Sequence, residues 1–237
     1  MTLAKSVESI VYPSSDNEPV AETYIHLYAI LTTLEVLKQY LEGQQATVLA
    51  NQFLYYAQGF PKLRVAPDVM VIYNVAPGGR DNYKIWEEGQ APSVIFEITS
   101  AGTREQDKGS KKLLYEQMGV QEYWLFDPKG EWIEGQLQGY RLVPVTVEGE
   151  TRDLYTPIID GRSEVLKLRV SVEGQLLGFY REDTGEKLLL PTELAEELRH
   201  TAALLEQERT RLEQAEQRAE RLAERLRQLG EDPEKYV

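Results

Sequence analysis

The sequence predicts an α/β (α+β) fold, a mixed sheet flanked by helices, followed by a long helix of different character. Two observations support this prediction. Residues 47–128 carry short runs of branched and aromatic residues, typical of buried strands, interrupted by one segment with helical spacing. From residue 191 onward the apolar residues follow a heptad repeat. We therefore expect one domain over residues 1–190 and a heptad-repeat helix over residues 191–237.

The elements of the first domain follow from apolar spacing and from turn residues. Residues 18–41 have helical spacing, and Gly43 follows as a stop signal. A helix that closes at Gly119 is predicted at TREQDKGSKKLLYEQMG. Residues 132–190 alternate apolar and polar side chains between glycine-containing turns, which predicts antiparallel hairpins that extend the sheet. Strands are predicted at TVLANQFLYYAQG, PDVMVIY, SVIFEIT and EYWLFDP.

The C-terminal segment alternates spacings of four and three residues over about five heptads. Thr192 is the predicted N-cap and Gly230 the stop. We expect this coiled-coil helix to pair with a second copy as a homodimer or higher homo-oligomer. The alternative is a solvated helix folded against its own domain. The heptad positions are Leu194, Leu198, Thr201, Leu205, Glu208, Leu212, Ala215, Ala219, Leu222, Leu226 and Leu229.

Composition restricts the classes of function. The formal net charge of −13 argues against a large basic surface and tight non-specific DNA binding, but leaves room for a small basic cleft. Without cysteine, the chain has no disulfide and no thiolate metal site. No apolar run approaches the ~20 residues that span a bilayer, and the first residues lack the apolar core of a signal peptide. We expect a cytoplasmic protein.

A carboxylate inside an apolar strand is the first sign of chemistry. Glu97 interrupts the strand SVIFEITS, and a buried carboxylate is normally paired or bound to a metal. Asp68 follows Pro67 at the start of another strand, and Lys111 lies on the helix after Glu97. Carboxylate oxygens suit Mg²⁺ (or Mn²⁺), and a metal ion with a nearby lysine suits phosphodiester hydrolysis. The alternative interpretation is a turn residue at Asp68 and a surface charge at Glu97.

Other catalytic arrangements have less support. Two histidines, His26 and His200, are too few for a histidine-rich metal site. Ser100 has no obvious histidine base, so a serine triad is not supported. The sequence contains no GxxxxGK[ST] loop, so a P-loop nucleotide-hydrolysing site is not supported.

Two stretches of the chain strongly resemble the Uma2 family (DUF820) of restriction-endonuclease-like proteins: VAPDVMVIY and YKIWEEGQAPSVIFEITSAGTREQDKGSKKLLYEQMGVQEYWLFDP. AETYIHL and the tail RLAERLRQLGEDPEKY look like cyanobacterial members. The resemblance implies the PD-(D/E)xK nuclease fold, with the active site at one end of a mixed sheet. It implies Asp68 and Glu97 as catalytic metal ligands and Glu22, near His26, as an additional acidic residue.

The sequence departs from the usual nuclease signature at one position. The signature has lysine two residues after the glutamate, where this chain has Thr99. The resemblance implies that Lys111 replaces it from the next helix, with Lys108 and Lys112 as competing choices. Lys111 lies four residues after Asp107, so the two share a helix face. We expect an exposed Asp107–Lys111 pair that contributes only ~0.5 kcal/mol to stability.

These observations leave three hypotheses. The first is a Mg²⁺-dependent DNA endonuclease. The second is a non-catalytic binding or scaffold protein that keeps the nuclease fold and assembles through its coiled-coil tail. The third is hydrolysis of another phosphodiester, such as RNA. The acidic pair and the lysine favour catalysis, whereas the charge of −13 and the long tail favour the scaffold.

Overall fold

The computed structural model describes residues 10–15, 23–100, 102–147, 149–230 and 232. The chain separates into two compact units, Met1–Leu188 and Leu189–Val237. The helices of the first unit are α1 (Tyr24–Tyr40), α2 (Ile85–Glu88), α3 (Arg104–Gln106) and α4 (Lys112–Gln117). Its strands are β1 (Ala46–Leu49), β2 (Leu54–Tyr55), β3 (Arg64–Val65), β4 (Val69–Tyr73), β5 (Tyr83–Lys84), β6 (Val94–Ile98), β7 (Glu122–Phe126), β8 (Leu137–Val147), β9 (Glu150–Ile158), β10 (Arg162–Ser163), β11 (Leu168–Glu173) and β12 (Leu176–Arg181).

A six-stranded mixed sheet with the order β1-β4-β6-β7-β8-β9 forms the centre of this unit. Strands β6 and β7 run parallel, and the other neighbours are antiparallel. The registers place the end of β1, the start of β4 and the ends of β6 and β7 at one edge, which we call the carboxylate edge. The fold class predicted from the sequence, a mixed sheet flanked by helices, is therefore confirmed.

The two central strands are buried along their whole length, which explains their continuous apolar sequences. On one face, Phe96 of β6 meets Phe179 of β12 edge-to-face, with 5.8 Å between ring centroids. On the other face, Tyr123 of β7 packs edge-to-face against Tyr115 of α4, with 5.1 Å between centroids. Since successive strand residues point to opposite faces, Glu97 lies on the face that α4 covers.

Two of the predicted strand assignments are wrong. The run from residue 47 to 59 breaks at Asn51, which has a positive φ of 51° and donates its N–H to the Pro67 carbonyl. Strand β2 therefore leaves the main sheet and joins a small sheet with the order β3-β2-β5. The hairpin β11–β12 turns at Gly174 as predicted, but it forms a separate three-stranded sheet with β10. It packs face-on through Phe179. The β8–β9 hairpin, which also lies within residues 132–190, extends the main sheet as predicted.

The helix predicted after β6 is present, and it ends at Gly119, whose φ is 77°. It is not uniform, because a π turn over Asp107–Lys111 separates α3 from α4. The sequence did not predict this turn. Single π turns inside α-helices often occur at functional sites.

The second unit contains one long helix, α5 (Pro191–Gln228), in which no residue is buried. The predicted N-cap, Thr192, is wrong, because Pro191 already occupies the first helical turn, where proline is favoured. The N–H of Leu190 is bound by the Glu193 carboxylate at 2.9 Å. In the described part of the chain, no helix is long and apolar enough to cross a membrane. Exposed leucines along α5 include Leu198, Leu204, Leu205, Leu212 and Leu222.

A cross-strand contact between β7 and β8 gives a test of this packing. Gly139 lies opposite Trp124, and a Cβ at residue 139 would come within 2.5 Å of the indole ring. Gly139→Ala should therefore lower the free energy of unfolding by about 1–3 kcal/mol, the usual cost of overpacking, in urea denaturation.

Gly79→Ala is the matched control, because no atom lies within 4 Å of its added methyl group and its φ is not positive. It should leave the free energy of unfolding almost unchanged. Equal stability of the two variants would contradict the register of β7 and β8.

Candidate active site

Asp68 and Glu97 come together at the carboxylate edge. Because Val69 pairs with Phe96 in antiparallel register, the next pair outward is Asp68 and Glu97. The N–H of Ile98 donates to Asp68 Oδ2 at 2.6 Å, which holds the aspartate against β6. The structure thus places side by side the two acids that the resemblance implied as ligands.

Protein donors hold both carboxylate oxygens of Glu97, which is completely buried. Lys111 Nζ lies 2.9 Å from Oε2. The hydroxyl of Tyr115 donates to Oε1 at 2.6 Å. In the sequence, Tyr115 lies four residues after Lys111, so the two share a helix face. Its bond to Glu97 depends on how α4 packs against the sheet.

Lys111 forms a bridge between two buried carboxylates. Its Nζ lies 2.9 Å from Asp107 Oδ1 as well as from Glu97 Oε2, and the Asp107 side chain is 1% exposed. The Asp107–Lys111 pair therefore exists as expected, but the expectation that it is exposed is wrong. The Tyr123 hydroxyl donates to the Asp107 carbonyl at 2.9 Å, and this contact holds the π turn against β7.

The two competing lysines point elsewhere. Lys108 Nζ donates to the Trp132 carbonyl at 2.6 Å. Lys112 Nζ lies 3.7 Å from the centroid of the Tyr140 ring. Of these three lysines, Lys111 is the one that reaches Glu97, although its catalytic role stays a prediction.

Thr99 takes the position at which the usual signature has lysine. It follows Glu97 by two residues, so both side chains leave β6 on the same face. Thr99 is 4% exposed, and its hydroxyl has no hydrogen-bond partner among the residues that the structure describes. A buried polar atom without a partner is uncommon and indicates that something polar can bind there.

A histidine that the sequence interpretation did not assign to the site lies beside Asp68. His26 Nε2 donates to the Ile98 carbonyl at 2.6 Å and lies 3.6 Å from Asp68 Oδ2. The available signal was its position in the first turn of the first helix, close to Glu22. Glu22 itself, the expected additional acid, lies outside the described residues.

The site has more negative charge than its surroundings stabilise. Burial, and then repulsion from Asp68, raise the pKa of Glu97 to about 8, although Lys111 and Tyr115 act in the opposite direction. Burial also raises the pKa of Asp107. Burial lowers the pKa of Lys111, but its two carboxylate partners outweigh this effect and leave the pKa above its ordinary value. When fully ionised, three carboxylates face one ammonium group, so a divalent cation would balance the charge.

The donor set fits one kind of metal site. Within the described ranges, no group of three or more His, Cys, Asp or Glu side chains could hold a metal ion. Mg²⁺ needs only one or two carboxylates, since waters and substrate phosphates complete its octahedral shell. Asp68 and Glu97 provide two such carboxylates side by side.

The chain is similar to known proteins. The sequence model of the Uma2 family, described as "Putative restriction endonuclease", matches residues 18–173, more than half of the chain. The chain belongs to the Uma2 family. The matched region contains the Asp68–Glu97 pair and the whole helix that carries Lys111.

This Uma2 chain is also similar to a solved structure. It is described as a putative nuclease belonging to DUF820 from Anabaena variabilis, with 18% sequence identity and a TM-score of 0.41. The match covers 62% of this chain and 74% of that chain. No curated protein matches the chain.

Because Lys111 is buried, its loss should lower the free energy of unfolding by much more than the ~0.5 kcal/mol expected from the sequence. Lys111→Ala leaves Glu97 and Asp107 buried without their shared cation, and removal of one partner from a buried ion pair typically costs about 3–5 kcal/mol. We expect a loss of this size in the free energy of unfolding at pH 8, measured by urea denaturation. The deficit should grow as the pH rises above about 8 and stay constant below it, because Lys111 lowers the pKa of Glu97. Wild-type Glu97 ionises from about pH 8, whereas in the variant the pKa is raised further and the buried acid ionises without a cation.

Lys112→Ala is the control on the same helix. Its ammonium group lies over Tyr140 and contacts neither acid of the site, so its loss should cost below about 1 kcal/mol. A pH-independent deficit in Lys111→Ala, or equal deficits in the two variants, would contradict the bridging geometry.

Proposed function

We propose that this Uma2 protein is a Mg²⁺-dependent endonuclease that hydrolyses phosphodiester bonds of DNA. The observation that carries the proposal is the opposed pair Asp68–Glu97 at the sheet edge, with the Lys111 ammonium group 2.9 Å from Glu97. The family description as a restriction endonuclease supports DNA over RNA as the substrate. The cytoplasmic location expected from the sequence stays a prediction.

Asp68 and Glu97 would hold the metal ion. When bound, Mg²⁺ or Mn²⁺ supplies a positive charge that polarises a phosphate oxygen and lowers the pKa of a bound water. The protein contributes rigidity, because Ile98 holds Asp68 and Tyr115 holds Glu97 before any cation arrives. Preorganised ligands of this kind avoid the cost of ordering side chains on binding.

Lys111 would stabilise the negative charge that develops on the phosphate during hydrolysis. Its ammonium group has a second anchor in Asp107, so it keeps one partner when Glu97 binds a cation. A positioned cation of this kind acts strongly where water is excluded. The unpartnered hydroxyl of Thr99 could hydrogen-bond to a water in the same site.

Two conservative substitutions test the assignment of ligands. Glu97→Gln and Asp68→Asn keep the side-chain shape but remove a charged oxygen ligand, so each should weaken Mn²⁺ binding in calorimetric titration. Each should also abolish most Mg²⁺-dependent nicking of a supercoiled plasmid. Lys111→Gln should lower the nicking rate by on the order of 100-fold while Mn²⁺ binding persists.

The control for this series is Lys112→Ala, which should nick the plasmid at the wild-type rate. Unchanged Mn²⁺ affinity in both carboxylate variants would place the metal elsewhere. If the wild-type protein cleaves no DNA with Mg²⁺ or Mn²⁺, the catalytic proposal fails and the scaffold function becomes the better candidate.

The second candidate is a scaffold that assembles through α5. Its specific support is the row of exposed leucines at heptad positions on a continuous 38-residue helix. Apolar residues in this spacing pair two helices in a coiled coil. Self-association is compatible with either function, since endonucleases also act as dimers.

Point variants in the full chain test whether α5 self-associates. Leu205→Asp and Leu212→Asp place a charge in the apolar seam, so sedimentation should show a shift to monomer at micromolar concentration. Gln207→Asp, outside the seam, should leave the oligomeric state unchanged. A wild-type protein that sediments as a monomer would rule out pairing through the heptad repeat.

A further inference from the structure

Two arginines stacked on aromatic rings lie on opposite sides of the carboxylate pair. The first is Arg64, whose guanidinium carbon lies 4.1 Å from the centroid of the Phe53 ring. A hydrogen bond connects the segment that carries Phe53 to the carboxylate edge. Asn51, two residues before Phe53, donates its N–H to the Asp68 carbonyl at 3.3 Å. Arg64 itself is four residues before Asp68. This arginine therefore lies on the side of β1 and β4.

The second stacked arginine is Arg104, whose guanidinium carbon lies 4.2 Å from the centroid of the Trp132 ring. The backbone N–H of Arg104 donates to the Ser100 carbonyl at 3.1 Å, just beyond the end of β6. Trp132 is anchored by its own N–H to Asp127, the residue that follows β7. This second pair lies on the side of β6 and β7.

The charges of both arginines are available to a partner. Within the described residues, Arg64 forms no ion pair, and its nearest polar contact is the Tyr55 hydroxyl at 3.4 Å. Arg104 lies 3.4 Å from Glu105, whose side chain is 88% exposed, and such surface pairs are weak. By contrast, the Arg80 guanidinium makes two hydrogen bonds to Glu88.

Stacking also prepares the two guanidinium groups for binding. A planar guanidinium held on a ring has lost part of its freedom in advance, and its N–H groups remain able to donate in the ring-parallel plane. Phosphate oxygens match that donor geometry. Because the chain has a net charge of −13, it repels a polyanion at long range. Cations beside the acidic site offset this repulsion locally.

We propose that Arg64 and Arg104 bind backbone phosphates of a DNA strand that lies across the carboxylate edge, one on each side of Asp68 and Glu97. This assignment rests on the proposed nuclease function. Neighbouring strands are about 4.8 Å apart, so β1 and β7 are separated by roughly 14 Å across the sheet. Phosphates repeat every ~3.4 Å along the axis of each DNA strand, so the two arginines reach phosphates a few nucleotides apart.

The test is the salt dependence of DNA binding by the full chain. A labelled DNA duplex is titrated with protein at several salt concentrations, with Ca²⁺ in place of Mg²⁺, and a gel confirms that the duplex is intact. Fluorescence anisotropy gives the association constant. Arg64→Gln and Arg104→Gln should each weaken binding and reduce the slope of log K against log salt by about 0.9, one phosphate contact each.

Arg169→Gln is the matched control, because Arg169 also lies over a ring, 5.2 Å from the centroid of Tyr180. Arg169 lies three residues after Leu166, whose carbonyl accepts a hydrogen bond from Tyr40 at the C-terminal end of α1. The carboxylate pair lies near the N-terminal end of the same helix, where His26 is close to Asp68. Arg169→Gln should keep the wild-type slope, and all three variants should keep the wild-type melting temperature.

The outcomes separate the two proposals. If the wild-type protein binds and cleaves DNA while Arg64→Gln and Arg104→Gln keep its slope, this phosphate-binding assignment is wrong and the nuclease proposal stands. An equal loss in Arg169→Gln would also overturn the assignment. A wild-type protein that binds no duplex even at low salt overturns both proposals.

Discussion

The ammonium group of Lys111 is the contact on which the site depends. It lies between Glu97 and Asp107, both buried, and it is the only cation that either acid contacts among the described residues. Without it, two carboxylates would lie in the interior of the domain with no opposite charge, and an unpaired buried charge strongly destabilises the folded state. The same group that compensates the buried acids is the one to which we assign the catalytic role in the proposed function.

The local architecture holds Lys111 between its two acids. The π turn brings Asp107 and Lys111 against the sheet edge, and the hydroxyl groups of Tyr115 and Tyr123 attach the helix to Glu97 and to the Asp107 backbone. Each contact is a hydrogen bond between a buried polar atom and a partner from another element. Glu97 has a donor at each of its carboxylate oxygens, and such satisfied contacts hold a buried group in a defined geometry.

Charged and apolar residues are distributed unevenly over the protein. The chain as a whole is strongly acidic, with a formal net charge of −13, which repels polyanions at long range. Lys111 is nevertheless buried between two carboxylates at the carboxylate edge, and Arg64 and Arg104 are stacked on aromatic rings. The exposed leucines of α5 add an apolar surface of a different kind, suited to another helix rather than to nucleic acid.

The sequence by itself determined the mixed sheet, the helix after Glu97, the long C-terminal helix and the family, because each depends on local periodicity or on a contiguous motif. It also singled out Asp68, Glu97 and Lys111. Only the tertiary structure decided that the Asp107–Lys111 pair is buried and that His26 lies beside Asp68. These features depend on which face of one element packs on another, and spacing along one helix does not contain that information.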